Sequence, residues 1–153
     1  MTCAGCSGWD GEWYWRATSD RGEVLGSRHN QEGKIYLNAQ TWAVLGGVAE
    51  GERALTCMDS MWKHLDTPYG PALFLPAYAE PDPGIGIITR FCPGTKENGT
   101  IFNHPVAWAV MAEALLGRAD RAYHLFKKTS FLTRGQNPEL YKAEPYVYAE
   151  YIY

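Results

Sequence analysis

Hydrophobic positions along the chain change their period several times. Trp13-Tyr14-Trp15-Arg16-Ala17 is aromatic and alternating, Asp20-Arg21-Gly22-Glu23 has turn composition, and Lys34-Ile35-Tyr36-Leu37 is a second short extended run. The N-terminal quarter therefore reads as strands and turns. Asn38 then stands as an N-cap for a helix over 39–49, apolar nearly all the way round and expected to be buried on every side. Within it, Gly46-Gly47 would admit a close neighbour. A second helix runs to Leu65, with Leu55, Met58, Trp62 and Leu65 on one face and Glu52, Arg53, Asp59 and Lys63 polar.

The pair then recurs. Residues 105–116 form a nearly all-apolar stretch opened by Pro105, with Glu113 as its charge, and 119–130 place Ala122, Leu125 and Phe126 on one face. Trp42-Ala43-Val44-Leu45 matches Trp108-Ala109-Val110-Met111, and Gly51-Glu52-Arg53-Ala54 matches 117–122 with a two-residue slip. A buried helix followed by a half-wet helix, repeated after 66 positions, suits the inner and outer layers of an α/α ring. Two hairpins do not close such a ring. The expected fold class is thus all-α, a partial double-layered barrel with short N-terminal strands. Between the hairpins, 66–104 is rich in Pro and Gly yet also carries Tyr69, Leu73, Phe74, Tyr78 and Phe91. Those side chains need burial, so this segment is expected to be an ordered loop over the mouth of the ring.

Composition narrows the field. With 153 residues, 46% hydrophobic and 20% charged, the chain has the make-up of a folded domain. Its net charge of −3 argues against nucleic acid as a partner. The longest apolar runs are too short for a membrane span, and 1–8 lack the basic and apolar regions of a secretion signal. Cys3 and Cys6 form a C-x-x-C pair, but Cys57 and Cys92 supply no second pair. Free thiols, no metal site and a cytoplasmic setting are the expectation. Residues 1–8 read as a ragged start.

Three stretches carry candidate chemistry. The insert ends in Arg90-Phe91-Cys92-Pro93-Gly94-Thr95-Lys96-Glu97-Asn98-Gly99, and His104 follows at a helix start. There, free N–H groups and the helix dipole favour an anion such as phosphate. Glu97 suits sugar hydroxyls or acid–base work; equally, 97–99 make a plain turn and His104 a cap. Trp9-Asp10-Gly11-Glu12-Trp13-Tyr14 places carboxylates between tryptophans, as a sugar-binding rim or a packed edge would. Glu150 stands among tyrosines, lining a pocket or lying on the surface.

These motifs, together with 32–44, Leu65-Asp66-Thr67-Pro68-Tyr69-Gly70 and Lys142-Ala143-Glu144-Pro145-Tyr146-Val147, run in the order seen in glycoside hydrolase family 94. The chain resembles the cellobiose, cellodextrin and chitobiose phosphorylases of that family from Trp9 onward. The resemblance implies an (α/α)6 barrel and inverting phosphorolysis of a β-linked glucoside to an α-sugar 1-phosphate. Inorganic phosphate would be the co-substrate, with no cofactor, and relatives are commonly homodimers. It also implies a phosphate contact at His104 and sugar contacts at Glu97, with Lys96 beside it. Arg90 and Phe91 would border the site. Glu150 stands where the family has a sugar-binding glutamine, a departure. The family's general acid, an aspartate in a Trp-Asn-Asp segment upstream of the Asp-Gly-Glu-Trp-Tyr motif, has no counterpart here. Its Thr-Gly phosphate element is expected beyond Tyr153. The expectation is an internal piece of the catalytic domain, inactive alone. A plain inverting glycosidase and a non-catalytic sugar-binding or α-hairpin module are the competing functions.

Overall fold

The computed structural model describes residues 8–152. Four longer helices form two hairpins: α1 (Leu37–Leu45) with α2 (Gly51–Leu65), and α3 (Asn103–Leu115) with α4 (Ala119–Thr129). Two single-turn helices, α5 (Phe131–Arg134) and α6 (Pro138–Tyr141), follow. α1 packs on α3 as well as on α2, so the apolar helices are the layer shared between hairpins.

The all-α expectation needs correcting. Eight two-residue strands form four antiparallel pairs among the described residues. β1 (Ala17–Thr18) pairs with β2 (Val24–Leu25) across the expected turn, closed by the Gly22 N–H on the Ser19 carbonyl. β3 (Ile35–Tyr36) pairs with β6 (Phe74–Leu75), and β4 (Asp66–Thr67) with β5 (Gly70–Pro71). Finally, β7 (Ile101–Phe102) pairs with β8 (Tyr151–Ile152). β3 and β7 lead directly into α1 and α3, so each apolar helix is launched from a paired strand.

Both apolar helices start earlier than their sequences suggest. α1 begins at Leu37 with extended Tyr36 as N-cap, leaving Asn38 inside the first turn instead of capping it. α3 begins at Asn103 after extended Phe102, so Pro105 is its third residue instead of its first, and His104 is not the cap. Their ends are alike. The Gly47 and Gly117 N–H groups bond the Val44 and Ala114 carbonyls, while Val48 and Arg118 reach back to Ala43 and Glu113. Both glycines have positive φ, 68° and 72°, which a side chain would strain. Gly46-Gly47 is therefore a helix stop, not a packing seam.

Burial follows shape more than composition. Expected all-round burial of the apolar helices fails at Trp42, Met111 and Leu115, which are 52, 56 and 68% exposed. In α2 Met58 and Leu65 of the expected face are buried, joined by Ala54, Cys57, Ser60 and Met61, while Leu55 is exposed and Trp62 is half-buried. Small Ala54 and Cys57 allow the backbones close, which Leu55 and Trp62 would not. In α4, Thr129 joins Ala122 and Leu125 inside while Phe126 is exposed. The insert is ordered as expected, with Leu73, Phe74 and Tyr78 packed around Tyr36 in a second core cluster. Cys57 and Cys92 are free thiols, and Cys3 and Cys6 lie outside the described residues. No helix among the described residues is long and apolar enough to cross a membrane.

A buried carboxylate ties the hairpins together. Glu113 is fully buried on α3, and Trp62 of α2 donates its indole N–H to Glu113 Oε1 at 2.6 Å. Arg118 lies 3.7 Å from Glu113 Oε2 and 2.8 Å from Asp59 on α2, which Arg121 also bonds. Burial pushes the Glu113 carboxyl above its ordinary range, against the opposing pull of Trp62 and Arg118. A raised native value means that stability falls as pH climbs from the ordinary glutamate range through the native one. Glu113→Gln keeps an acceptor for Trp62 without the charge. Its thermal midpoint relative to wild type should therefore rise as pH climbs above the ordinary glutamate range. Glu113→Ala, which strands the Trp62 N–H, should cost about 2–3 kcal/mol in urea unfolding.

Candidate functional site

The insert's last turn is built around one amide. Asn98 is fully buried; its Oδ1 accepts the Tyr78 N–H at 2.9 Å, and its Nδ2 donates to the Tyr78 and Phe91 carbonyls, both at 2.8 Å. The turn closes through the Asn98 N–H on the Thr95 carbonyl and the Gly94 N–H on the Asn98 carbonyl. Lys96 and Glu97 occupy its tip. Lys96 has φ 46°, a left-handed conformation that costs a lysine about 1 kcal/mol and is enforced by the turn around it. Its ammonium stands 4.9 Å from the centre of the Phe91 ring, a cation–π contact that fixes both side chains.

From the other direction, β8 docks on β7. The Asn103 N–H bonds the Glu150 carbonyl at 3.0 Å, its side-chain amide bonds the Ala149 carbonyl, and the Thr100 hydroxyl bonds the Ile152 carbonyl. Register puts Tyr151 opposite Phe102, their rings 4.7 Å apart. The Tyr151 hydroxyl then donates to Glu97 Oε1 at 3.0 Å. Burial first, then the hydrogen bond and charge of Glu97 and the charge of Glu150, push this phenol up to about 12. His104 completes the patch: it is the second residue of α3, exposed, with its ring 4.8 Å from Trp108 and 6.1 Å from Phe102. A groove of about 660 Å³ starts at Asn103, His104 and Glu150 and runs between α3 and α4 past Val110 and Phe126.

Five of the sequence candidates are thus connected. Tyr151 bonds Glu97, the preceding Glu150 gives its carbonyl to the Asn103 N–H, His104 joins through Phe102, and Lys96 with Phe91 forms the adjoining rim. Arg90 is exposed at the end of the short 3-10 helix Ile87–Arg90, and makes none of the ion pairs found among the described residues.

The N-terminal candidate has a different job. Trp13 is buried and its indole donates to the Gly26 and Lys34 carbonyls at 2.9 and 3.1 Å. Asp10 accepts from Ser27 and from the Arg28 N–H. Tyr14 exchanges backbone hydrogen bonds with the buried Gln40 amide of α1. Carboxylates and tryptophans there are occupied in holding the N-terminal segment on the core.

Against proteins of known family, the catalytic-domain profile of the glycosyl hydrolase 94 superfamily matches residues 3–153. The chain belongs to this superfamily. As a glycosyl hydrolase 94 chain it is 47% identical over 122 residues to the solabiose phosphorylase of Paenibacillus borealis, covering 80% of this chain and 16% of that protein. It is 41% identical over 146 residues to the N,N'-diacetylchitobiose phosphorylase of Vibrio furnissii, covering 94% of this chain and 18% of that protein. A third relative, the 3-O-beta-D-glucopyranosyl-beta-D-glucuronide phosphorylase of P. borealis, is 37% identical over 130 residues, covering 85% and 17% respectively. The chain therefore spans less than a fifth of each of these relatives.

Sequence reasoning missed Asn98, Asn103 and Tyr151. Asn98-Gly99 was legible as a turn, but the amide's three distant partners were not. Asn98→Ala leaves those partners unpaired and should cost about 2–4 kcal/mol in urea unfolding. Asn98→Asp should be no better at neutral pH, since a carboxylate oxygen would face the Tyr78 and Phe91 carbonyls. Amide hydrogen exchange across 78–98 should accelerate in both variants.

Proposed function

We propose that this glycosyl hydrolase 94 chain forms part of the sugar- and phosphate-binding pocket of an inverting glycoside phosphorylase, within an (α/α)6 barrel. The observation that carries this reading is the hydrogen bond to Glu97 from Tyr151, on a strand that docks beside His104, where the Glu150 carbonyl takes the Asn103 N–H at the start of α3. Relatives that match this chain include an N,N'-diacetylchitobiose phosphorylase and a 3-O-beta-D-glucopyranosyl-beta-D-glucuronide phosphorylase. In this reading His104 holds inorganic phosphate. The His104 backbone N–H is in the first turn of α3, where orphan donors and the helix dipole favour an anion. Pro105, next in line, has no N–H to offer.

Glu97 accepts hydrogen bonds from sugar hydroxyls through the oxygen that Tyr151 leaves free. Lys96, Phe91, Arg90 and Glu150 border the sugar. Phosphate attacks the anomeric carbon from the face opposite the leaving oxygen, which needs a proton from a general acid. Because phosphate is already an anion, no second carboxylate is required to generate the nucleophile. An inverting hydrolase would need two carboxylates facing each other across room for a water. Here the Tyr151 hydroxyl bonds Glu97 while His104 stands in the first turn of α3, where an anion is favoured, which supports the phosphorylase reading over the hydrolase. None of the gathered residues has the role of acid, so the pocket binds and orients without protonating the leaving group.

Calorimetry tests this directly. The chain should bind inorganic phosphate saturably, and His104→Ala should weaken that binding about tenfold or more. Incubation with N,N'-diacetylchitobiose or cellobiose plus phosphate should release no sugar 1-phosphate. Turnover would show that an acid has been overlooked, and phosphate binding unchanged in His104→Ala would remove His104 from the site.

A further inference from the structure

We propose that Tyr151 is a positioning residue of this site, its hydroxyl holding the Glu97 carboxylate in the orientation that receives sugar hydroxyls; this rests on the sugar-binding reading of Glu97. Glu97 sits at the tip of a tight turn, and Tyr151 supplies its one side-chain hydrogen bond among the described residues, 3.0 Å from its Oε1. Without that bond a glutamate has three free side-chain torsions, and the entropy of fixing them would be charged against each binding event.

Tyr151 is itself fixed from three sides. Its ring lies on Phe102 at 4.7 Å, its backbone is paired with Phe102 across β7–β8, and its neighbours Glu150 and Ile152 are bonded to Asn103 and Thr100. Phe102 also approaches His104 at 6.1 Å. One aromatic pair therefore sets the distance between the sugar carboxylate and the phosphate histidine. A phenol donating to one glutamate oxygen also leaves Oε2 as the free acceptor, which gives the carboxylate a defined face. The late ionisation of Tyr151, caused by burial, Glu97 and Glu150, agrees with a hydroxyl kept as a donor across the whole working pH range.

Two measurements on the 153-residue chain test it. In calorimetry with N,N'-diacetylchitobiose and with cellobiose, Tyr151→Phe should weaken sugar binding about tenfold while phosphate binding stays unchanged. In NMR of chain labelled at tyrosine Cζ, the resonance lost in Tyr151→Phe should titrate near about 12 in wild type and at lower pH in Glu97→Gln. Sugar binding that is equal in Tyr151→Phe and wild type overturns the positioning role and leaves the phosphorylase reading standing. Absence of sugar binding by wild type overturns the reading of Glu97 itself, and the positioning role with it. A Tyr151 resonance that titrates identically in wild type and Glu97→Gln overturns the coupling, and where Tyr151→Phe does not fold, sugar binding by Glu97→Gln equal to wild type overturns the role of Glu97 that Tyr151 would serve.

Discussion

A long insert between two helical hairpins can be ordered only if its backbone polar groups find partners, and here the decisive partner is the side chain of Asn98. Its amide satisfies both backbone groups of Tyr78 and the carbonyl of Phe91, segments that are distant in sequence. Because the amide is fully buried, each of those bonds is made where water cannot substitute. With that knot in place Leu73, Phe74 and Tyr78 settle on Tyr36 as a second core, and Lys96 and Glu97 project from a turn with one conformation. Remove it, and the turn at 95–98 loses its side-chain tie to the Tyr78 and Phe91 backbones.

Much of the helical plan was legible in the residues. The repeated apolar–amphipathic pairing identified both hairpins, and the aromatic content of the insert announced that it would be ordered. Helix edges were less legible because caps reside in backbone geometry. Tyr36 and Phe102 cap without a side-chain hydrogen bond, which no sequence pattern advertises. The burial face of α2 was right at Met58 and Leu65 and wrong at Leu55, since hydrophobicity ranks Leu55 above Ala54 and Cys57 while close helix packing prefers the smaller pair.

At the site, the residue types were readable and their connections were not. Glu97, His104 and Glu150 drew attention as chemistry-bearing side chains near a helix start. That Tyr151 bonds Glu97 depends on β8 returning to β7, a pairing of two residues on each strand with almost no sequence signal. The Trp9–Tyr14 stretch shows the converse. It has the composition of a sugar rim, yet Gln40, Ser27 and the Gly26 carbonyl already use its polar groups.

The two hairpins are similar but not equal in length. Leu37 and Asn103 start their helices 66 positions apart, whereas Leu45 and Leu115 end them 70 apart, so α3 carries one additional turn, about 6 Å. Glu113 lies on that turn, and its contacts to Trp62 and Arg118 have no counterpart in the first hairpin. Duplicated units that are too alike can exchange partners during folding or between molecules. The extra turn acts as a key: within one chain, only the native pairing of helices brings the buried carboxylate to the Trp62 indole, while Arg118 travels with Glu113 on its own hairpin.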